Sequence, residues 1–174
     1  MMQQRQIGNA VIEFDRAATQ AAYSNPGEDW LCSCQDCLNY YAAAPNFPTE
    51  VIAFFDELGM NVTKPSEVYD CSFQNDLLQY CGFYHLYGNI KYTESSKLQL
   101  ADGFECRFSS SLACVPSTFS NNRIQLNIYF TVPWVLDEPR QEPIPIILSK
   151  TKPNILQKLL NKIREKRFPK AAQK

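Results

Sequence analysis

Alternating apolar and polar residues between positions 104 and 134 restrict the fold of this chain more than any other feature. The apolar members of the alternation are Phe104, Cys106, Phe108, Leu112 and Cys114, followed after a turn at residues 120–122 by Ile124, Leu126, Ile128, Phe130, Val132 and Trp134. Successive side chains of a strand point to opposite faces of a sheet. The period of two therefore predicts a long antiparallel hairpin with one buried face and one wet face.

The remaining strands and helices are predicted around that hairpin. Residues 67–73 and 78–92 flank a polar turn and predict a second hairpin, and residues 10–15 predict a short strand. An alanine-rich stretch ending near Tyr23 is a possible helix. Two firmer helices are predicted, one from an N-cap at Ser33 to about residue 44 and one where apolar residues recur at helical spacing between Val51 and Leu58. The predicted fold class is α+β, an antiparallel four- to five-stranded meander sheet with two helices packed on one face.

The C-terminal part of the chain differs from the rest in charge and composition. Residues 1–149 carry eight basic and seventeen acidic side chains, a net charge of −9, whereas residues 150–174 carry nine basic residues and one acidic residue, a net charge of +8. We expect a single α+β domain at 1–138, a Pro-rich tether at 139–153, and a basic amphipathic helix at 154–168 with a short tail. The basic side chains of that helix are Lys158, Lys162 and Lys166. Such a helix binds either protein, including the acidic body, or nucleic acid or an anionic membrane surface.

Three cysteines, Cys32, Cys34 and Cys37, lie within six residues at the start of the first firm helix. In the simplest interpretation Cys34 and Cys37 pack against the sheet, because free cysteine is among the most buried residue types. Alternatively the three thiols hold zinc, since a helix N-terminus favours the thiolate that zinc requires. A fourth ligand would then come from His85, Cys71 or Cys81. A redox centre is disfavoured, because a thioredoxin-like motif follows a strand in a βαβ unit and this helix is followed by another helix.

The total of seven cysteines bears on the compartment. An odd number would leave a secreted protein with at least one unpaired thiol, so we expect reduced thiols and a cytoplasmic location. No apolar run approaches the roughly 18 residues that a transmembrane helix needs, and no transmembrane segment is expected. Cys71 and Cys81 are expected to face each other across the second hairpin. In a reducing compartment we expect this pair to be unbonded.

Aromatic residues are dense in the strand predicted at 78–92. Tyr80, Phe83, Tyr84 and Tyr87 indicate either core packing or an exposed surface that contacts a protein or stacks on a planar, nucleotide-like ligand. Catalysis has little support, because His85 is the only histidine and lies among these aromatics. Phosphate-binding glycine loops, metalloprotease motifs and nucleophile-elbow motifs are absent from the sequence.

Several short runs between about residues 30 and 90 carry a resemblance to a known group. The runs are Cys34-x-x-Cys37-Leu38-Asn39-Tyr40, Phe47-Pro48-x-Glu50-Val51, Leu58-Gly59, Lys64-Pro65-x-Glu67-Val68-Tyr69 and Gly82-Phe83-Tyr84-His85-x-x-Gly88, with a weaker echo at 133–138. In these runs the chain resembles small bacterial and prophage-type proteins with a Cys-x-x-Cys-x-Asn-Tyr motif. The resemblance implies no activity, cofactor or partner.

The sequence as a whole favours binding over catalysis. The acidic body, the aromatic strand and the missing catalytic set predict a non-enzymatic binding protein of immunity or anti-defence type, which acts by occupying the surface of another protein. One alternative is a small-molecule-binding protein that uses the aromatic hairpin to hold a nucleotide-like ligand. Another is a zinc-stabilised domain that uses the cysteine cluster.

Overall fold

Seven antiparallel strands build the sheet in this computed structural model, which describes residues 1–25, 32–72, 78–94 and 97–140. The strands are β1 (Gln3–Ile7), β2 (Ala10–Phe14), β3 (Glu67–Asp70), β4 (Leu78–Thr93), β5 (Leu98–Ala101), β6 (Phe104–Ser109) and β7 (Arg123–Val132). Their order is β1-β2-β4-β7-β6-β5, and β3 pairs with β4 beside β2. The predicted tether and basic helix, with Lys158, Lys162 and Lys166, lie outside the described residues apart from the first two positions of the tether.

The α+β class and both predicted hairpins are confirmed, but the prediction of four to five strands was too low. Strand β1 consists of mostly polar residues that are exposed apart from the half-buried Ile7, and β5 has only four residues, so neither is long or apolar enough to be recognised by alternation. The order also departs from a simple meander, because the sixteen-residue β4 lies between β2 and β7 at the centre of the sheet. The strand predicted beyond residue 104 ends at Ser109, where the chain leaves the sheet.

Three α-helices are described, one more than the two firm predictions. They are α1 (Arg16–Ser24), α2 (Gln35–Ala43) and α3 (Thr49–Glu57), with a short 3-10 turn at Ala44–Asn46. Asp15 caps α1 by accepting a hydrogen bond from the Ala18 amide. Helix α2 begins one residue later than predicted, because the side chain of Cys34 rather than Ser33 accepts the capping bond, from the Cys37 amide. None of the helices in the described ranges is long and apolar enough to cross a membrane.

The core lies between the sheet and helices α2 and α3. Tyr84 of β4 is fully buried there, with its ring against Phe55 and its hydroxyl 2.7 Å from that of Tyr40. Phe47, just before α3, packs against Phe104 and Phe130 of the neighbouring strands. These aromatic contacts fix which face of β4 points toward the helices, and the even-numbered residues of that strand occupy it.

The other face of β4 is covered locally by the segment between β6 and β7. Phe119 of this segment is buried and its ring contacts those of His85 and Tyr87. The Tyr87 hydroxyl donates to the Thr118 carbonyl oxygen at 3.0 Å. This cover explains why His85 is buried together with both of its neighbours, against the simple alternation expected for a half-buried strand.

One edge of β4 is completed by side chains of α1. Strand β3 pairs with residues 80–83 of β4 and β2 pairs with residues 88–93, which leaves a gap between them. Within the gap the Tyr23 hydroxyl accepts from the His85 amide at 3.2 Å and donates to the His85 carbonyl at 2.9 Å. The Thr19 hydroxyl accepts from the Tyr87 amide. Buried backbone groups must be paired, and α1 supplies the partners that a strand would otherwise supply.

Candidate metal centre

The three clustered cysteines are brought together by the start of α2. Cys34 is the N-cap, Cys37 lies in the first turn, and Cys32 precedes the cap by two residues. The Sγ atoms of Cys32 and Cys34 are 3.3 Å apart, and all three sulfurs lie within 4.8 Å of one another. Two thiolates on a tetrahedral zinc ion, with Zn–S bonds of about 2.3 Å, are separated by about 3.8 Å. The three thiols thus lie close enough together to share one soft metal ion, and the Cys32 and Cys34 sulfurs would move about 0.5 Å apart to bind it.

The three thiols differ in their exposure. Cys32 and Cys34 are exposed, whereas Cys37 is only 1% exposed and lies against β3. The Cys37 thiol donates to the Val68 carbonyl oxygen at 3.7 Å, a distance suited to a sulfur donor. The interpretation of buried cysteines therefore holds for Cys37 but not for Cys34. Cys37 anchors the cluster to the fold while the other two thiols face solvent.

The pKa values of the exposed Cys32 and the buried Cys37 are shifted in opposite directions. The pKa of Cys32 is lowered, first by the Cys34 backbone amide and then by the Cys37 and Cys34 side chains, which hydrogen-bond to its sulfur. Burial raises the pKa of Cys37 well above its usual range, and the neighbouring sulfurs raise it further. Cys32 thus loses its proton more easily than Cys37, and a bound cation would favour loss of the remaining protons, as metal binding to thiols releases protons generally.

The candidates for a fourth ligand are not brought to this cluster. In the described part of the chain, the group of potential metal ligands consists of Cys32, Cys34 and Cys37. His85 points away from the face of β4 that packs on α2, because its neighbour Tyr84 occupies that face. The Sγ atoms of Cys71 and Cys81 are joined in a disulfide.

His85 is fully buried. Its Nδ1 lies 2.8 Å from the Ser66 hydroxyl, and its ring packs on Phe119. Burial lowers the pKa of His85 to about 4, while the side chain of Gln125 on β7 opposes part of that shift. The imidazole is therefore neutral at pH 7 and is shielded from any external ligand. This is the arrangement of a structural histidine.

The disulfide corrects the expectation that Cys71 and Cys81 are unbonded. Strand register pairs Tyr69 with Cys81 and Asp70 with Tyr80, so Cys71 lies diagonally across from Cys81 rather than opposite it. Their Cα atoms are 6.0 Å apart, within the range of natural disulfides. The remaining two cysteines, Cys106 and Cys114, are a buried thiol and an exposed thiol.

The four aromatic residues predicted as a binding surface are not presented together. Tyr80 and Tyr84 are fully buried in the core, and Phe83 and Tyr87 are half-buried on the other side of β4. An exposed ring is instead supplied by Tyr69 of β3, which is 45% exposed and contacts Phe83 at 6.3 Å between ring centroids. Tyr69 follows the buried Val68, so the alternation of β3 carried the signal that the sequence analysis missed.

A pocket on the same side of the sheet bears on the small-molecule alternative. It is bordered by Cys71, Gln79, Tyr129 and the ion pair between Lys97 and Glu105, and its volume is about 200 Å³. Sites for drug-sized ligands usually span about 300 to 1,000 Å³. The Lys97 ammonium already lies over the Tyr129 ring, 4.0 Å from its centroid. These features do not favour stacking of a nucleotide in this pocket.

The cluster therefore has the donor set of a soft metal site, with one buried ligand fixed to the sheet and two accessible ligands at a helix N-terminus. Comparison with known proteins adds no assignment: no protein-family model, no curated protein and no solved structure matches this chain.

Proposed function

We propose that this protein is a metal-stabilised binding protein that holds a zinc ion through Cys32, Cys34 and Cys37. The observation that supports the proposal is the convergence of the three sulfurs within 4.8 Å at the first turn of α2. Thiolate sulfur is the preferred structural ligand of zinc, and zinc bridges the segment before α2 to the helix itself. The ion thus stabilises the start of α2, where it packs on β3.

Metal analysis tests the proposal directly. The full-length protein, purified with reduced thiols and without chelators, is expected to retain zinc by elemental mass spectrometry. Titration of metal-free protein with Co²⁺ is expected to give the charge-transfer absorption of cobalt–thiolate bonds. Cys37→Ser should lose both signals, because serine is not a soft ligand. Cys114→Ser is the matched control, since Cys114 is an exposed thiol outside the cluster.

Two results would refute the metal site. One is a protein that binds neither zinc nor Co²⁺ with its thiols reduced. The other is binding that survives in Cys37→Ser. Because a reductant also opens the bond between Cys71 and Cys81, a Cys71→Ser, Cys81→Ser double variant is included. It should bind metal as the parent does, and binding that depends on these two thiols would also contradict the proposed ligand set.

The second candidate function, which accompanies the first, is partner binding of the immunity or anti-defence type. It is favoured by the exposed ring of Tyr69 against Phe83, on a body that carries a net charge of −9 over residues 1–149. Exposed tyrosines are enriched in protein interfaces, where a flat ring and a hydroxyl are used together. The partner surface would be basic, since opposite charges steer association.

A substitution pair tests this role once a partner has been captured by affinity purification. Tyr69→Ala is expected to weaken the measured affinity about 30-fold, as truncation of a central aromatic anchor does. Tyr92→Ala is the control, because Tyr92 is also exposed but lies at the far end of β4. Equal affinities for the two variants would remove Tyr69 from the interface.

A further inference from the structure

The two exposed sulfurs of the cluster are nearer to each other than ligands on a shared zinc ion. Cys32 Sγ and Cys34 Sγ are 3.3 Å apart, against about 3.8 Å for two thiolates on tetrahedral zinc. Both side chains are exposed, so a small oxidant reaches either sulfur. The third sulfur, of Cys37, is buried and donates its hydrogen to the Val68 carbonyl oxygen.

From this geometry we infer that Cys32 and Cys34 form an oxidation site, at which hydrogen peroxide converts the two thiols into a disulfide. The inference builds on the proposed function, because the same reaction would remove two of the three zinc ligands. Cys37 stays reduced, since its sulfur is shielded from solvent and held against β3. The site differs from a thioredoxin-like centre, where the two sulfurs are separated by two residues and react with protein disulfides.

The chemistry balances with peroxide as the only oxidant. The Cys32 thiolate attacks one peroxide oxygen, a sulfur–oxygen bond forms, the oxygen–oxygen bond breaks, and hydroxide leaves, which gives a sulfenic acid. The Cys34 sulfur then attacks the Cys32 sulfur and expels the sulfenic hydroxyl as water, with a proton from the Cys34 thiol. Together the two sulfurs lose two electrons, and peroxide takes them up.

A disulfide between Cys32 and Cys34 would also prevent both sulfurs from binding zinc. A single remaining thiol at Cys37 does not hold zinc against solvent, because structural zinc sites require several protein ligands. Oxidation is therefore expected to release the metal, and reduction is expected to restore binding. Cys34 is also the N-cap of α2, so the same bond changes the group that caps the helix.

Peptide mapping of the full-length protein after peroxide treatment tests the inference. In metal-free protein we expect a mass loss of about 2 Da, the two thiol hydrogens, located to a bond between Cys32 and Cys34. Cys34→Ser should instead stop at a sulfenic acid on Cys32, which dimedone traps. Cys114→Ser should form the bond as the parent does. In zinc-loaded protein, free zinc measured with a chromogenic chelator should rise as the bond forms.

The outcomes separate this inference from the proposed function. Zinc binding without any bond between Cys32 and Cys34, or a bond that joins Cys34 to Cys37, overturns the oxidation site and leaves the metal site standing. A bond between Cys32 and Cys34 in a protein that never binds zinc supports the oxidation site and refutes the proposed function. A bond involving Cys32 that persists in Cys34→Ser also overturns the inference.

Discussion

The first turn of α2 and the middle of β4 differ in whether their reactive side chains are exposed to solvent. At α2, Cys32 and Cys34 are exposed and only Cys37 is tied to the sheet. In the middle of β4, His85 is fully buried, its backbone is bonded to Tyr23, and its ring lies between Ser66 and Phe119. Both regions carry groups that bind metals in other contexts, but only the first leaves them accessible.

The difference shows how burial divides structural from chemical roles within one fold. A neutral histidine in the interior stabilises the protein only while it stays neutral, because charging it requires desolvation of the cation. A thiol at the surface adds little to packing and stays available for metal or oxidant. We therefore expect substitutions around His85 to change stability strongly, and substitutions of Cys32 or Cys34 to change metal binding and oxidation with little effect on the stability of the metal-free protein.

The largest effect is expected from Tyr23→Phe, which removes one hydroxyl from the His85 region. The amide and carbonyl groups of His85 then lose their partner inside the protein. Each unpaired buried polar group costs about 1 to 3 kcal/mol. Because two groups are left unpaired, the free energy of unfolding should fall by about 4 kcal/mol in urea denaturation. Tyr92→Phe is the control, because Tyr92 is exposed and its hydroxyl donates to the exposed Glu94 carboxylate, and it should change stability by less than about 0.5 kcal/mol.

A loss below about 1 kcal/mol in Tyr23→Phe would contradict this view of the β4 edge. It would mean that the amide and carbonyl groups of His85 find other partners when the hydroxyl is removed, and the contrast between a buried region with fixed backbone partners and an accessible cluster would weaken.

The next effect concerns the pH dependence of stability. Burial lowers the pKa of His85 from 6.5 to about 4, so between these values the unfolded chain binds a proton that the folded protein does not. The contribution of His85 is fully present above pH 6.5 and is lost as the pH falls toward 4. The total loss corresponds to about 3 kcal/mol.

Urea denaturation at several pH values measures this slope. His85 is the only histidine in the chain, so no other imidazole contributes. The carboxyl groups of Asp15 and Asp70 have pKa values below their usual 3.8 and act at lower pH. His85→Asn is expected to be less stable at pH 7 and to lose the slope between pH 6.5 and about 5. The same slope in both proteins would place the responsible group elsewhere.

These two regions also differ in how far sequence reasoning reaches. The cysteine cluster is local, so spacing alone placed its three members at one helix start, with an error of one residue in the cap. The surroundings of His85 depend on contacts far along the chain, including Tyr23, Ser66 and Phe119. No periodicity in the sequence encodes those contacts. Without the strand register, the sequence could not show that the His85 ring points away from the three cysteines, so its expected role as a fourth ligand could not be checked at that level.

The same reason applies to strand pairing. The alternation of β6 and β7 is strong and predicted their hairpin, whereas the bond between Cys71 and Cys81 depends on a register that local turn chemistry does not determine. The prediction of an aromatic surface failed for Tyr80 and Tyr84 because aromatic content does not reveal which face of a strand the helices cover.

A third prediction is that zinc stabilises the protein through the cysteine cluster and not through His85. Zinc at 100 times its dissociation constant should stabilise the reduced protein by about 2.7 kcal/mol, if it binds only the folded state. Cys32→Ser should remove most of this increment in thermal unfolding followed with and without zinc. His85→Asn should retain it, because His85 lies on the other face of β4 from the cluster. Loss of the increment in His85→Asn would bring the two regions into one site.

The smallest effect is expected at Cys34 in metal-free protein, and its sign is informative. Cys34 caps α2 through a sulfur 3.5 Å from the Cys37 amide nitrogen, and a hydroxyl oxygen is a stronger acceptor at this position. Cys34→Ser should therefore stabilise the metal-free protein by about 0.5 kcal/mol, while Cys34→Ala, which has no acceptor, should destabilise it by about 0.5 kcal/mol. Urea denaturation with chelator present measures both. With zinc bound, the parent protein should be more stable than Cys34→Ser, because cysteine supplies a thiolate that binds the metal and serine does not. A destabilising Cys34→Ser in metal-free protein would mean that the sulfur is held for packing rather than left available for chemistry.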